Sequence, residues 1–205
     1  YGQASTTNLI ENYPGFPKGV GGIELGQLFE EQALAFGAKI EYSQAEGVDL
    51  SKRPFEVYTH DQTYTAETVI LCMGASSRKL GVPGEKELTG RGVSYCGTCD
   101  GWFFKGKDIH VVGGGDSAIE EALFLTRFAN SVTVIHRRDN LRAGAILETR
   151  ARNNPKINFI WNTVVRQING DQAVHSLVIE DLVKGEMREI PSDGGFIHIG
   201  HTPTS

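Results

Sequence analysis

The chain has 205 residues, of which 40% are hydrophobic and 22% are charged, an ordinary composition for a globular protein with one large or two small domains. The formal net charge of −5 argues against general nucleic-acid binding, and no apolar run approaches the roughly 20 residues that span a bilayer. The three cysteines are too few for a disulfide scaffold, and no basic-then-apolar leader is visible, so we expect a cytoplasmic protein.

The first part of the chain predicts a loop, one helix and several short strands. Residues 12–17 contain two prolines and a glycine, which indicate a turn-rich loop. Apolar side chains at a spacing near 3.6 residues predict a helix over 24–37, where a glycine ends it. A short strand is predicted over 39–42, and a hairpin is predicted from the strands 55–59 and 62–66.

A near-continuous apolar run covers residues 68–73. Such a run is typical of a strand that is buried on both faces. We therefore expect Cys72 to be a small buried hydrophobic residue, and Gly74 to allow a close approach of the backbone to a ligand or another segment. The loop-like sequence 78–92, rich in proline and glycine, predicts a domain boundary near Lys79.

From Lys107 onward the pattern changes to a β-α-β unit. Its predicted elements are a strand over 109–112, a helix over 116–129 with Glu120 and Glu121 near its favourable N-terminal end, and a strand over 132–136. One more helix and four more strands follow, at 143–153, 158–161, 164–168, 175–181 and 196–199. This alternation predicts an α/β fold with a Rossmann-like, three-layer nucleotide-binding domain.

Two cysteines, Cys96 and Cys99, are separated by two residues and followed by Asp100. Thiols at this spacing can close into a disulfide, and one thiol can stabilise the thiolate of the other. The adjacent carboxyl group is placed to move the proton that dithiol chemistry requires. The alternative is half of a zinc site, but zinc needs four ligands and none of the histidines lies at a suitable spacing, so redox chemistry is favoured and no metal is expected.

Residues 113–118 fit the pattern G-x-G-x-x-A between a predicted strand and a predicted helix. Gly113 allows the tight turn, Gly115 allows a pyrophosphate to approach the backbone, and Ala118 allows the helix and strand to pack closely. Asp116 and Ser117 open the helix, whose N-terminus attracts phosphate. The motif predicts a dinucleotide site.

The end of the next predicted strand carries His136, Arg137 and Arg138, and Arg142 follows shortly after. A site for NAD usually has an acidic residue here, whereas arginine binds the 2′-phosphate of NADP(H). The alternative is a solvated basic turn, since other arginines lie nearby. The position of Arg137, Arg138 and Arg142 favours NADPH.

Four motifs together resemble one known family. They are Glu11-Asn12-Tyr13-Pro14-Gly15, Cys96-Gly97-Thr98-Cys99-Asp100-Gly101, the glycine motif 113–118, and His136-Arg137-Arg138-Asp139. Their order and spacing resemble the low-molecular-weight thioredoxin reductases along essentially the whole chain. The resemblance implies a homodimeric flavoprotein in which an NADPH domain with redox-active cysteines interrupts an FAD domain, and in which electrons pass from NADPH through FAD and the disulfide to thioredoxin.

The resemblance also implies roles for individual residues. Cys99 would be the thiol that faces the flavin, Cys96 would attack thioredoxin, and Asp100 would be the general acid/base. The NADPH domain would rotate on hinges near Lys79 and Thr202. Residues that match positions near FAD are Gly2, Gln3, Asn12, Val48 and Gly74, and Arg91 matches a position near the docking face for thioredoxin.

The chain departs from the family pattern in one respect. The family has two glycine-rich nucleotide folds, and only the second is found in this sequence. We therefore predict part of an FAD-binding domain over residues 1–78 and an NADPH-binding domain over 79–205. Taken literally, such a fragment is expected to bind FAD poorly and to turn over poorly.

Three other functions fit some of the motifs. The first is the flavoprotein subunit of an alkyl hydroperoxide reductase, which shares this core. A reductase that takes electrons from ferredoxin is less favoured, because it has no need of the three arginines. The third is a nucleotide-binding or dimerising module without turnover.

Overall fold

The computed structural model describes residues 2–7 and 9–204. The chain forms two compact units, one comprising residues up to Gly74 and the other Ala75–Thr204. The sequence placed the boundary between residues 78 and 79, a few residues later. That these units are an FAD-binding and an NADPH-binding domain remains a prediction.

The first unit contains one α-helix and a three-stranded antiparallel sheet. Its elements are a 3-10 turn (Gln3–Thr6), α1 (Gly22–Ala35), β1 (Ala45–Asp49), β2 (Phe55–Thr59) and β3 (Thr63–Ala66), with the strand order β1-β2-β3. Gly37 ends the helix with a φ of 85°, and its N–H donates to the Leu34 carbonyl, the left-handed cap for which glycine is suited. The predicted helix and hairpin are confirmed, with small shifts at their ends.

Two predicted strands of this unit are wrong. Residues 39–42 and 68–73 form no strand, and Cys72 is an exposed free thiol. Ile70 is 88% exposed, so this apolar run is not buried on either face. The physical reason is that a strand is buried only by its neighbours, and no strand in the described part of the chain pairs with this segment.

The second unit is built around a five-stranded parallel sheet. Its helices are α2 (Gly97–Asp100), α3 (Asp116–Leu125) and α4 (Ala145–Arg152), with a 3-10 turn at Gly101–Phe104. Its strands are β4 (Ala75–Ser77), β5 (Val93–Ser94), β6 (Asp108–Gly113), β7 (Ser131–Ile135), β8 (Ile157–Ile160), β9 (Thr163–Gly170), β10 (Val174–Asp181), β11 (Glu186–Pro191), β12 (Gly194–His198) and β13 (His201–Pro203). The parallel sheet has the order β5-β12-β6-β7-β8, and β11-β10-β9 form an antiparallel sheet.

The parallel sheet is buried on both faces, as the apolar strands predict. Along β6, Val111 packs into a core shared with α3 and α4, while the next residue, Val112, packs into a second core with β9 and β10. Phe196 and Ile197 on β12 divide between the two cores in the same way, because successive side chains of a strand point to opposite faces. The result is the predicted three-layer α/β fold: helices, parallel sheet and antiparallel sheet.

Most differences between the predicted and the observed elements of this unit concern strands that contain few apolar residues. The β-α-β unit is confirmed, although α3 ends at Leu125 rather than at residue 129. Four strands were not predicted, and two of them, β4 and β5, are only three and two residues long. β11 is almost entirely exposed, and β13 is a short exposed strand that pairs antiparallel with β4. Neither sequence carries the buried alternation by which a strand is recognised.

Candidate functional site

Cys96 and Cys99 form a disulfide at the start of α2, with their Cα atoms 5.3 Å apart. The disulfide that the spacing predicted is therefore present, and the alternative of zinc ligation does not describe this state, since zinc binds thiolates. Cys96 is the N-cap residue, and its Sγ accepts a hydrogen bond from the Cys99 N–H at 3.1 Å. Asp100 follows and is half-buried.

This placement favours Cys96 as the thiol that more readily ionises when the pair is reduced. Backbone N–H groups at the start of a helix stabilise an anionic sulfur and lower its pKa. Ser94 fixes the segment from the other side, because its Oγ accepts from the Cys96 N–H at 3.1 Å and donates to the Cys96 carbonyl at 3.2 Å. Cys96 is half-buried and Cys99 is exposed.

The loop before the disulfide is organised by one buried carboxylate, Glu85. Its oxygens accept from the backbone N–H groups of Leu80 and Gly81 at 2.9 Å and 2.7 Å and from the Tyr95 hydroxyl at 2.7 Å. Tyr95 is the residue before Cys96, so this cluster connects the region of the predicted hinge to the redox pair.

Two exposed aromatic side chains lie directly after the disulfide helix. Trp102 is 64% exposed and Phe103 is 71% exposed, whereas Phe104 is buried in the core. Large aromatic residues at a protein surface commonly anchor a protein partner. The sequence analysis did not single them out, although two aromatics immediately after C-x-x-C-D-G were a visible signal.

A cavity of about 520 Å³ opens at the carboxyl ends of the parallel strands, where α/β folds bind their ligands. Its volume suits a small-molecule ligand. It is lined by residues 113–118, 135–137, 163–165 and 198–200, and by Arg78, Leu80, Val112 and Arg142. The predicted motif residues Gly113, Gly115, Asp116, Ser117 and Ala118 thus all contribute to one wall.

The two motif glycines differ in what surrounds them. Gly113 has a φ of 151°, and a Cβ there would lie 2.3 Å from the His198 carbonyl oxygen and 2.7 Å from the Ala118 Cβ. A Cβ added to Gly115, the N-cap residue of α3, would have no other atom within 4 Å. Gly113 is therefore required by the fold, whereas Gly115 leaves the start of α3 open toward the cavity.

The predicted arginines separate into two groups. All three are exposed, but Arg137 and Arg142 line the cavity and Arg138 is not among its lining residues. The loop that carries Arg142 is held against the glycine turn, because the Arg142 N–H donates to the Gly114 carbonyl at 2.7 Å and Asp116 accepts from the Gly144 N–H at 2.7 Å. Arg78, which the sequence analysis missed, is a third lining arginine.

Two histidines that line the cavity have buried ring nitrogens without a hydrogen-bond partner, the Nε2 atoms of His136 and His198. Burial lowers the pKa of His198 to about 4 and also lowers the pKa of His136, which lies near cationic arginines. Both rings are therefore neutral at physiological pH. The open helix terminus and the arginines fit the phosphates of NADPH.

The residues predicted to lie near FAD are spread over separate parts of the first unit. Gly2 and Gln3 lie at the first 3-10 turn, Asn12 in the loop before α1, Val48 on β1 and Gly74 after the apolar run. All five are exposed. Their assignment to an FAD site remains a prediction.

The glycine motif gives a direct test of the cavity. Gly115→Ala is expected to leave the melting temperature nearly unchanged, because its φ of −95° suits alanine and the space beside it is open. It should weaken NADPH binding roughly tenfold or more, because the methyl group keeps the pyrophosphate from the backbone. Calorimetric titration of NADPH, with thermal unfolding, measures both.

Gly113→Ala is the matched control and should show the reverse pattern. It places alanine at a φ of 151° and against the His198 carbonyl, which should destabilise the fold by roughly 1–3 kcal/mol. Normal NADPH affinity in Gly115→Ala would argue against a pyrophosphate at this turn.

A disulfide and an arginine-lined cavity beside a glycine-rich turn, on one α/β unit, are typical of nucleotide-binding proteins with a redox-active cysteine pair. The family model for pyridine nucleotide-disulphide oxidoreductases matches residues 1–205. The chain belongs to that family.

The named relatives are more specific. The chain is 52% identical over 204 residues to a thioredoxin reductase of Mycolicibacterium smegmatis, covering all of this chain and 66% of that protein. It is 49% identical over 205 residues to a thioredoxin reductase of Bacillus subtilis, covering 65% of that protein. The crystal structure of Lactococcus lactis thioredoxin reductase matches with a TM-score of 0.96 and 43% identity, over 99% of this chain and 67% of that one.

These matches confirm the resemblance to bacterial thioredoxin reductases. The chain spans somewhat less than two thirds of the length of the two curated relatives. Within the described ranges, no helix is both long enough and apolar enough to cross a membrane. The same residues contain no group of three or more histidine, cysteine or acidic side chains arranged to hold a metal ion.

Proposed function

We propose that this protein acts as a thioredoxin reductase, with NADPH as the electron donor and thioredoxin as the disulfide substrate. The observation that carries the proposal is the redox pair at the start of α2, in the same unit as a cavity that is lined by the glycine turn and by Arg137 and Arg142. A glycine turn and arginines are what the phosphates of NADPH would require. The names of the relatives support the choice of thioredoxin.

The overall reaction balances as a two-electron transfer. NADPH gives up a hydride and becomes NADP⁺, and with one further proton the electron pair converts the thioredoxin disulfide to two thiols. The family and the resemblance support FAD as a second cofactor, and a bound flavin supplies the ability to accept a hydride and to pass two electrons to a disulfide.

The chain's own residues have three tasks in this proposal. Arg137, Arg142 and the start of α3 bind the phosphates of NADPH, with Arg78 at the same cavity. Cys96, reduced and ionised at the start of α2, attacks the thioredoxin disulfide, and Cys99 then releases the product by closing the Cys96–Cys99 bond. Asp100 would protonate the leaving thiolate, a role supported by its position directly after Cys99.

The exposed pair Trp102 and Phe103 supports a protein substrate rather than a small one. These side chains lie within a few residues of the disulfide and offer an apolar surface to a partner. Arg91, which is also exposed, is proposed as a docking residue from the resemblance alone. A homodimer and a cytoplasmic location are proposed on the same basis.

The flavoprotein subunit of an alkyl hydroperoxide reductase is not favoured, because the similar curated proteins are thioredoxin reductases. A direct assay tests the proposal. The protein, supplied with FAD, is mixed with NADPH and oxidised thioredoxin, and the loss of NADPH absorbance is followed together with the appearance of thioredoxin thiols.

Equal amounts of NADPH consumed and thioredoxin disulfide reduced, with NADH much less effective, are the expected result. NADPH binding without any thioredoxin reduction would show a nucleotide-binding module instead. The visible spectrum of the same sample reports whether flavin is bound and whether NADPH bleaches it.

A further inference from the structure

Glu121 lies on the face of α3 against which the disulfide helix packs. A Cβ built on Gly97 would lie only 2.0 Å from its Oε2 atom, so the carboxyl group touches the backbone of the residue that follows Cys96. This oxygen is buried, and no donor meets it with good hydrogen-bond geometry, although the neighbouring Gly97 N–H favours the charged form of the carboxyl group. Burial of an incompletely paired carboxyl group is costly, so its place beside the redox pair calls for an explanation.

The close approach is produced by two glycines. Gly97 and Gly101 both face α3, and a Cβ on either would meet the Leu125 side chain, at 3.3 Å and 3.0 Å respectively. Helix α2 can therefore lie directly on α3. The atoms nearest to a Cβ on either glycine are apolar except for the Glu121 carboxyl group, which lies against the residue between Cys96 and Thr98.

The carboxyl group changes its charge in the physiological range. Burial raises the pKa of Glu121 to about 7; the nearby Glu120 raises it further and the Gly97 amide acts in the opposite direction. The other titratable or charged groups on the elements that pack against α3 are Cys96, Cys99, Asp100, Asp108, His110, Glu148, Arg150, Arg152 and His198.

We propose that Glu121 is a positioning residue for the redox pair: its carboxyl group holds the Cys96–Gly97 backbone against α3, and its charge controls how readily the reduced pair forms a thiolate. The proposal rests on the proposed function only in requiring that the pair cycles between disulfide and dithiol. Glu121 acts through the cysteines and needs no contact with thioredoxin or NADPH.

The proton balance shows why such a group matters. Two electrons break the Cys96–Cys99 bond, and the two sulfurs take up two protons to become thiols, or one proton where a thiolate remains. A charged Glu121 disfavours a thiolate beside it, and a neutral Glu121 does not. By the same coupling, a thiolate favours the protonated form of Glu121.

The test compares Glu121→Gln with Glu120→Gln in the full chain. Both carry Cys72→Ser, so that only the redox pair reacts, and both are reduced with a phosphine before the reductant is removed. The rate of alkylation by iodoacetamide is then measured as a function of pH. In Glu121→Gln the pH midpoint for ionisation of the more acidic thiol should fall by about one unit, as expected for removal of a neighbouring like charge. Below that midpoint, the alkylation rate should therefore rise about tenfold.

Glu120→Gln is the matched control, since Glu120 is exposed and lies one residue earlier on the same helix. It should shift the midpoint far less. Equal shifts in the two variants, or no shift in Glu121→Gln, would overturn the proposal. Because the measurement uses neither NADPH nor thioredoxin, its outcome is independent of whether the proposed reductase activity is found.

A second measurement requires no variant at position 121 and covers the case in which Glu121→Gln fails to fold. The side-chain carboxyl carbon of Glu121 is titrated by NMR in the oxidised and the reduced chain. Its midpoint should be higher in the reduced chain, where a thiolate competes with the carboxylate. Identical midpoints would show that the carboxyl group and the cysteines are not coupled.

Discussion

Replacing Cys99 with serine is expected to lower the rate of thioredoxin reduction by on the order of 10³-fold or more. The variant should still react with thioredoxin and trap it. Cys96 can still attack the disulfide of thioredoxin, but no second thiol remains to release it. A stable mixed disulfide should therefore accumulate. It is measured by a mobility shift on a non-reducing gel and by the mass of the linked peptides.

Two structural features bear on which cysteine attacks. Exposure favours Cys99, which is exposed while Cys96 is half-buried in the oxidised state. The electrostatics favour Cys96, because its sulfur sits at the helix N-cap and accepts the Cys99 N–H. We expect the sulfur that more readily forms a thiolate, that of Cys96, to be the attacking one, since the thiolate is the reactive species in disulfide exchange.

Cys96→Ser is the variant that separates these arguments. It should be equally inactive but should trap little thioredoxin. Trapping by Cys96→Ser alone would reverse the assignment and make Cys99 the attacking thiol. Cys72→Ser, which removes the remaining cysteine in a different unit, should keep the parent activity and exclude trapping through an unrelated thiol.

The extent to which the sequence predicted this fold can be seen by comparing two apolar runs. The run at residues 109–112 forms β6 and is buried on both faces, because strands and helices surround it. The run at 68–73 has a similar composition but is exposed. Hydrophobicity indicates that a segment is suited to burial, whereas its actual burial depends on neighbouring elements that a local sequence pattern does not contain.

The candidate site was predictable where a motif fixes backbone geometry, and less so elsewhere. The glycine turn has the predicted strand-turn-helix context because its requirements are local. His198 lines the same cavity through β12, a strand far along the chain, and no spacing indicated it. Glu121 was assigned to the favourable end of a helix, but periodicity could not show that Gly97 lies on top of its carboxyl group.

The largest expected effect on nucleotide binding is that of removing Arg137 and Arg142, two of the three arginines that line the cavity. Arg137→Ala combined with Arg142→Ala should weaken NADPH binding by roughly 10²–10⁴-fold, because each charge-assisted hydrogen bond contributes about 1.5–3 kcal/mol. NADH lacks the 2′-phosphate, and its affinity should change much less. Titration calorimetry with both nucleotides on the full chain gives the two dissociation constants.

Arg138→Ala is the control that shows whether the loss of affinity depends on an arginine lining the cavity. The sequence places Arg138 with Arg137, but in the structure Arg138 is not among the residues that line the cavity. Arg138→Ala should therefore lower NADPH affinity much less than Arg137→Ala. If all three arginines could be replaced without loss of preference for NADPH over NADH, the basic turn would be a solvated surface, and recognition of the 2′-phosphate would have to come from another part of the protein. An equal loss in Arg138→Ala would instead show that its side chain reaches the phosphate when the nucleotide is bound.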